Sequence, residues 1–184
     1  GGAAPTRGAD GAVPPQNPGG LGIALRPGAP AGRRGWAERA LLVRERGGRI
    51  GRATAPVTSG SKGMQLYAAL PGEQDSSTIS DVARQIAQDL TRVRPELVLW
   101  KMTKSLRPGK VLLDWSQNAA AKTTITPYSL RGKDVPSVAA PRTWAEVERG
   151  AEQRAALSQL DMEDVLKRVA RDGDLFGAML APPR

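Results

Sequence analysis

The fold is decided by one stretch of sequence, Lys104-Ser-Leu-Arg-Pro-Gly-Lys-Val-Leu-Leu-Asp-Trp-Ser-Gln-Asn118. Its apolar run, Val111-Leu-Leu113, is typical of a buried strand, and a carboxylate, Asp114, ends that run. A buried carboxylate is costly unless it is paired with a cation or bound to a metal ion. Two interpretations of Asp114 therefore stay open from the residues alone: an ion pair with Arg107 or Lys110, or a metal ligand.

Strand-like and helical patterns alternate on either side of this stretch. Apolar residues at helical spacing predict an amphipathic helix from Ser77 to Val93, and Thr143 followed by Glu146 has the pattern of a capping box. The predicted strands are 64–70, 110–115 and 123–128, and the other predicted helices are 36–45, 97–106 and 161–171. This alternation predicts an α/β (α+β) fold, a mixed sheet flanked by helices.

Residues 1–55 differ in composition from the rest of the chain. Ala, Gly, Pro and Arg account for 39 of these 55 residues. Such a composition raises the backbone cost of folding and supplies few large apolar groups. We therefore expect this segment to be disordered, or to result from a GC-rich gene translated in the wrong frame. The folded domain is expected over residues 56–180.

The charge balance favours a polyanionic partner. The chain of 184 residues has 27 basic and 18 acidic residues, and eight of the basic ones lie between Lys101 and Arg142. Cysteine and histidine are both absent, which excludes disulfides, Cys/His zinc sites and histidine acid–base catalysis. No apolar run approaches the roughly 18 residues that a membrane span needs.

Three motifs resemble one known family. They are Thr58-Ser-Gly-Ser-Lys-Gly-Met-Gln65, the stretch 104–118 and Ala121-Lys-Thr-Thr-Ile-Thr-Pro-Tyr-Ser-Leu-Arg131. In this order and at these distances they are similar to the polymerase domain of bacterial DNA ligase D, in the archaeo-eukaryotic primase superfamily. The resemblance covers about residues 56–180. It implies a primase-like mixed sheet, incomplete in this chain.

The resemblance assigns Asp114 a catalytic role, as the last of three carboxylates that hold two divalent ions, Mn²⁺ or Mg²⁺. Two such ions activate a primer hydroxyl and stabilise the leaving pyrophosphate. The family's other two carboxylates belong to an Asp-x-Asp motif upstream of the Ser-Gly-Ser-Lys-Gly loop. That region contains only Asp10, Glu38 and Glu45 as acidic residues, with no Asp-x-Asp. We attribute this absence to a frame change just upstream of about Ala55.

The resemblance also implies contacts with the substrates. Nucleotide-binding roles fall on Ser59, Lys62, Gln65, Arg107 and Arg131, with Gln65 at a position where many members of the family have histidine. Contacts with the nucleic-acid backbone are expected from Lys104, Lys110 and Lys122. Trp115 and Tyr128 are interpreted as core residues, and Asp172-Gly-Asp174 as a helix-ending turn.

The function implied is template-directed nucleotidyl transfer, with NTP or dNTP substrates, at DNA ends in non-homologous end joining. The domain would belong to an ATP-dependent DNA ligase D in the bacterial cytoplasm, associated with the nucleoid. Ku is an expected partner, and ligase and nuclease domains are expected in the same or separate polypeptides. Without the Asp-x-Asp motif, the alternative is a catalytically inactive remnant that binds nucleic acid. A basic structural protein would fit the charge but leaves Asp114 unexplained.

Overall fold

The computed structural model describes residues 20–29, 33–49, 53–70, 75–119, 122, 124–132, 136–153 and 157–181. The strands are β1 (Leu21–Pro27), β2 (Thr54–Ser59), β3 (Met64–Ala68), β4 (Val98–Leu99), β5 (Val111–Asp114), β6 (Leu130–Arg131) and β7 (Ser137–Pro141). The α-helices are α1 (Arg33–Arg49), α2 (Ser76–Val93), α3 (Trp144–Glu152), α4 (Met162–Asp172) and α5 (Leu175–Leu180). Two short 3-10 helices cover Lys104–Leu106 and Trp115–Asn118.

The seven strands form one mixed sheet in the order β4-β5-β1-β3-β2-β7-β6. Only β4 and β5 pair in parallel, and the other pairs are antiparallel. The prediction of a mixed sheet flanked by helices is therefore confirmed. Since β5 lies next to β1, and β1 next to β3, three segments that are distant in sequence meet at the middle of the sheet.

The main core lies between one face of this sheet and helices α1, α2 and α3. Residues at alternate positions of β1, namely Leu21, Ile23 and Leu25, point to this face because side chains alternate along a strand. They pack with Trp36 of α1 and Ile79 of α2, which are both almost fully buried. The intervening residues of β1 must therefore point to the opposite face of the sheet.

The prediction of disorder is wrong for the described part of residues 1–55. The segment 21–27 is a central strand, and 33–49 is a helix whose Trp36, Ala37, Ala40 and Val43 are buried. The average composition hid two local patterns, alternation in β1 and helical spacing in α1, which together bury enough apolar surface to order the chain. The first 19 residues lie outside the described part.

Other predictions of local structure have mixed outcomes. The helix at 77–93, the capping box at Thr143 and the helix at 161–171 are confirmed, and Gly173 ends α4 with a φ of 70°. The helix predicted at 97–106 is wrong, because Val98 and Leu99 bind the open edge of β5 as β4. The strand predicted at 123–128 is also wrong for its described residues, since Pro127 lacks an N–H and Tyr128 has a φ of 69°.

The opposite face of the sheet is partly covered by α5. Phe176 packs edge-on against Tyr67 of β3, with ring centroids 5.3 Å apart. Asp174 caps α5 and accepts a hydrogen bond from the Tyr128 hydroxyl at 2.7 Å. Asp172-Gly-Asp174 is thus the predicted helix-ending turn, which also begins the next helix. Among the described residues, no helix is long and apolar enough to span a membrane.

Candidate phosphate-binding site

The site lies on the opposite sheet face, where one residue from each of three adjacent strands falls in a row. Asp114 of β5 is paired in register with Ala24 of β1, and Ala24 with Gln65 of β3. Directly paired residues of antiparallel strands point to the same face. Arg26, two residues after Ala24, shares that face and is the diagonal neighbour of Asp114.

Asp114 is bound on all sides by hydrogen-bond donors. Its Oδ2 forms an ion pair with Nε of Arg26 at 2.8 Å and accepts a hydrogen bond from the amide of Gln117 at 3.1 Å. Its Oδ1 accepts from the hydroxyl of Ser116 at 2.7 Å and from the Ser116 backbone N–H at 3.2 Å. The Asp114 side chain is only 7% exposed, whereas that of Arg26 is 54% exposed. The carboxylate is thus buried under a cation that faces solvent.

The partner of Asp114 differs from both candidates named above for an ion pair. Arg107 instead donates to the backbone carbonyl of Met102 at 2.6 Å, and Lys110 lies at the turn before β5. This turn contacts the end of β1, because the Gly28 N–H donates to the carbonyl of Lys110 at 2.9 Å. A Cβ on Gly28 would lie 2.1 Å from the carbonyl oxygen of Arg107, so this close approach requires glycine.

A second part of the site is the loop between β2 and β3. Its ends are tied together, since the Ser59 N–H donates to the Gly63 carbonyl at 3.0 Å. Arg131 of β6 donates from Nε to the Ser59 carbonyl at 3.1 Å, and Gly60 has a φ of 64°. Lys62 is exposed at the loop tip. The structure therefore brings Ser59 and Arg131 together, with Lys62 on the same loop.

Gln65 lies in the row beside Ala24 and is held by β3. Its Oε1 accepts from the hydroxyl of Tyr67 at 2.5 Å, and that hydroxyl is also 2.7 Å from the Ile125 carbonyl. Two of the lysines expected to contact nucleic acid, Lys104 and Lys122, are exposed; Lys104 lies on the first 3-10 helix, and Lys122 on the segment after the second one. The part of the chain that the structure describes gives these lysines no direct contact with Asp114.

Comparison with known proteins identifies the family. A family model described as the primase-polymerase domain of LigD matches residues 8–176. The chain belongs to this family. A multifunctional non-homologous end joining DNA repair protein, LigD of Mycobacterium tuberculosis, is 53% identical over 140 residues. That match covers 76% of this chain and 18% of the relative, so the chain matches less than a fifth of that protein's length.

Two further relatives agree with this result. The bifunctional non-homologous end joining protein LigD of Bacillus subtilis is 36% identical over 130 residues, covering 69% of this chain and 20% of that protein. A solved structure of the polymerase domain from Mycobacterium tuberculosis ligase D in complex with DNA superposes with a TM-score of 0.85 and 45% identity. The superposition covers 98% of this chain and 61% of the chain in the solved structure.

These matches correct two expectations about the N-terminal region. The LigD family model begins its match at residue 8, so the resemblance extends well upstream of residue 56. A segment translated in the wrong frame would not match the family or provide β1 at the centre of its sheet. The frame-change hypothesis is therefore wrong for the described residues of this segment. The absence of the two upstream carboxylates must therefore come from the residues that β1 itself contains.

The residues present do not fit the two-metal site that the LigD family implies. An Asp-x-Asp on β1 that faces Asp114 would have to occupy positions 24 and 26, because alternate residues share a face. These positions hold Ala24 and Arg26. Within the described ranges, no three Asp or Glu residues come close enough together to hold a metal ion. A methyl group and a cation thus stand beside Asp114, where two further ligands would be needed.

Arg26 is the site residue that sequence reasoning missed. Its signal was present, since Arg26 lies at the end of an alternating apolar strand, before Pro27-Gly28, as a functional residue at a strand end would. Asn118 was also missed as a structural residue. Its side-chain amide exchanges two hydrogen bonds of 2.7 Å with the backbone of Gly22 and so fastens β1 to the motif that contains Asp114. Trp115 packs against the main core, as predicted.

Proposed function

We propose that this chain is a LigD polymerase domain that binds DNA ends and nucleoside triphosphates in non-homologous end joining without carrying out nucleotidyl transfer itself. The observation that carries this proposal is the ion pair between Arg26 and Asp114. Membership of the family supports the role in end joining. The ion pair favours a role in end joining without nucleotidyl transfer over a role that includes this reaction.

Nucleotidyl transfer by two metal ions needs several carboxylates that converge on ions about 3.5–4 Å apart. Here Asp114 is the only carboxylate of the described residues in the row across β5, β1 and β3. Its oxygens already accept from Arg26, Ser116 and Gln117. A divalent ion would have to displace a bound guanidinium and would gain a single protein ligand in exchange.

The groups suited to phosphate remain in place. Arg131 and Ser59 meet at the loop between β2 and β3, and Lys62 extends from that loop. Arginine donors and lysine charges are the usual protein partners of phosphate oxygens. The net charge of +9 adds a general attraction to nucleic acid. Lys104, Lys110 and Lys122 are proposed to contact the DNA backbone, and Arg107 and Gln65 the nucleotide.

The second candidate function is template-directed nucleotidyl transfer with Mn²⁺ or Mg²⁺. The position of Asp114 at the end of a strand in a confirmed polymerase fold is the observation in its favour. This function would require Arg26 to leave Asp114 and other carboxylates to enter. Ku and the ligase and nuclease activities of end joining are proposed as partners under either function, supplied elsewhere in the same or separate polypeptides.

One experiment separates the two functions. Addition of a single ribonucleotide to a gapped duplex is measured with Mn²⁺, and DNA binding is measured in parallel at several salt concentrations. We expect binding that weakens by about 0.9 in log K per log unit of salt for each phosphate neutralised on duplex DNA. We expect no extension by the unaltered chain or by Asp114→Ala. Extension that Asp114→Ala abolishes would establish the active enzyme instead.

A matched pair of variants tests the site itself. Lys62→Ala and Lys167→Ala each remove one positive charge, but Lys167 lies on α4 and pairs with Glu163. We expect Lys62→Ala to weaken DNA or nucleotide binding roughly fivefold, equivalent to about 1 kcal/mol. Lys167→Ala should have little effect. Equal weakening by both variants would show that binding follows net charge and not the loop.

A further inference from the structure

Arg26 stands beside Asp114 as a cation built into the strand. Its Nε binds Asp114 at 2.8 Å, and both residues point to the open face of the sheet. A guanidinium has five N–H donors and stays protonated at all relevant pH values. In the described ranges this guanidinium forms an ion pair with Asp114 and no hydrogen bond to another group is found. With its side chain 54% exposed, Arg26 has donors left for a ligand.

The charge at this position has a direct consequence for phosphate binding. Three clustered carboxylates without their metal ions would repel a phosphate, so binding at such a site depends on the metal. The Arg26–Asp114 pair carries no net charge and needs no ion to cancel one. Lys110 and Arg107 lie in the turn that contacts Gly28, two residues beyond Arg26, and they add positive charge nearby.

We infer that Arg26 replaces the divalent cations of this site and binds a phosphate group directly, so that phosphate binding by this chain is independent of metal. Asp114 acts as a positioning residue, because it holds the guanidinium at Nε and leaves the outer edge of the fork open. Arginine suits this role, since its planar donors match two phosphate oxygens at once. The inference rests on the proposed function. It adds that Arg26 is the side chain that binds the phosphate and that this binding requires no metal ion.

The phosphate has two possible sources, a nucleoside triphosphate and the DNA backbone. Binding of ATP and binding of a gapped duplex are therefore measured separately, each in EDTA and in Mn²⁺. We expect the dissociation constants of the unaltered chain to agree within about twofold between the two buffers, because no bound metal ion contributes to the affinity for the probe. Arg26→Met keeps the apolar stem and removes the donors. It should weaken binding of the relevant probe roughly tenfold in both buffers.

Two variants distinguish this role from a purely structural one. Asp114→Asn removes the negative charge beside Arg26 but keeps a side-chain oxygen that can still hold the guanidinium, so phosphate binding should stay equal or become tighter. If Asp114 were a metal ligand, the same variant would lose binding in Mn²⁺. Arg26→Lys keeps the charge without the fork and should bind between the unaltered chain and Arg26→Met. Arg92→Gln, at an exposed arginine on α2, is the control that removes a charge elsewhere. Folding of each variant is verified by circular dichroism.

The converse variant restores the carboxylates. Ala24→Asp combined with Arg26→Asp places an Asp-x-Asp opposite Asp114, and it should acquire Mn²⁺ binding that calorimetry or electron paramagnetic resonance detects. The unaltered chain should bind Mn²⁺ only weakly. Probe binding lost in EDTA, or unchanged binding of both probes by Arg26→Met, would overturn the inference and leave the proposed function standing. Tight Mn²⁺ binding by the unaltered chain would overturn the inference together with the ion-pair argument against catalysis. Absence of binding to both ATP and DNA would overturn the inference and the proposed function alike.

Discussion

Asp114 and Glu146 are both bound by arginine, and the two sites differ in how far the arginine side chains are exposed to solvent. Glu146, near the start of α3, is bound by Arg142 at 2.7 Å and by both terminal nitrogens of Arg168 of α4 at 2.8 Å. Its side chain is 13% exposed, and those of Arg142 and Arg168 are 4% and 17% exposed. Asp114 is buried as deeply, but its Arg26 is half in solvent.

This difference separates a structural ion group from one suited to binding. The arginines around Glu146 are closed in by protein, and Arg142 also donates to the carbonyl of Ser158. The group joins α3, α4 and the end of β7, and the terminal nitrogens of both arginines donate to acceptors within the protein. In the Arg26–Asp114 pair the carboxylate lies against Nε of Arg26, and about half of the arginine side chain faces solvent, where a ligand can bind it. Burial of the cation, more than burial of the carboxylate, decides which role an ion pair can have.

The largest expected effect is on stability at Glu146. Glu146→Ala leaves two arginines poorly solvated and unpaired, and it should lower the free energy of unfolding by about 3–5 kcal/mol. Glu163→Ala removes an exposed pair with Lys167 and should cost less than about 0.5 kcal/mol. Urea unfolding of both variants measures the difference. Similar midpoints for the two would show that the Glu146 group is not structural.

A smaller effect is expected at the open pair. Arg26→Met leaves the buried carboxylate of Asp114 with the donors of Ser116 and Gln117 only, at a cost of about 1–3 kcal/mol. Asp114→Asn leaves Arg26 in contact with water, so its cost should be lower. The same unfolding measurement ranks the two variants. A larger loss for Asp114→Asn would mean that the carboxylate stabilises the strand end more than the pair does.

The smallest expected effect is the loss of folding stability at acid pH that Glu146 causes. Burial alone would raise the pKa of Glu146, but hydrogen bonds from Arg168 and the Thr143 N–H and the charge of Arg142 outweigh it and lower that pKa below its ordinary 4.5. A lowered pKa in the folded state stabilises the protein above the unfolded pKa, and this stabilisation is lost as the pH falls through the folded value. Thermal unfolding from neutral pH down to about pH 3 tests this.

The matched control for the acid prediction is Glu146→Gln, which has no carboxylate to protonate. Its melting temperature should fall less than that of the unaltered chain over the acid range, because the remaining carboxylates are common to both. Opposing causes set the pKa of Glu146, so we expect a modest difference between the two curves. Parallel curves would assign the acid sensitivity to other carboxylates.

Much of the fold could be predicted because its signals are local. The helix at α2 was predicted from Ile79, Ala83, Ala87 and Leu90, which recur at helical spacing and are all buried. The errors came where a distant partner decides the outcome. Val98 and Leu99 suit a helix in isolation, but the open edge of β5 draws them into the sheet. The first strand was missed because glycine and proline around it dominate the composition.

The sequence by itself determined that a buried strand ends in Asp114, that Thr143 and Asp161 lie at the starts of α3 and α4, and that a Ser-Gly-Ser-Lys-Gly loop precedes β3. These features depend on groups a few residues apart, so residues that are neighbours in the sequence specify them. Only the tertiary structure decided that Asp114 pairs with Arg26 and not with Arg107 or Lys110. That choice depends on the register between β1 and β5, which long-range pairing sets and sequence spacing does not reveal.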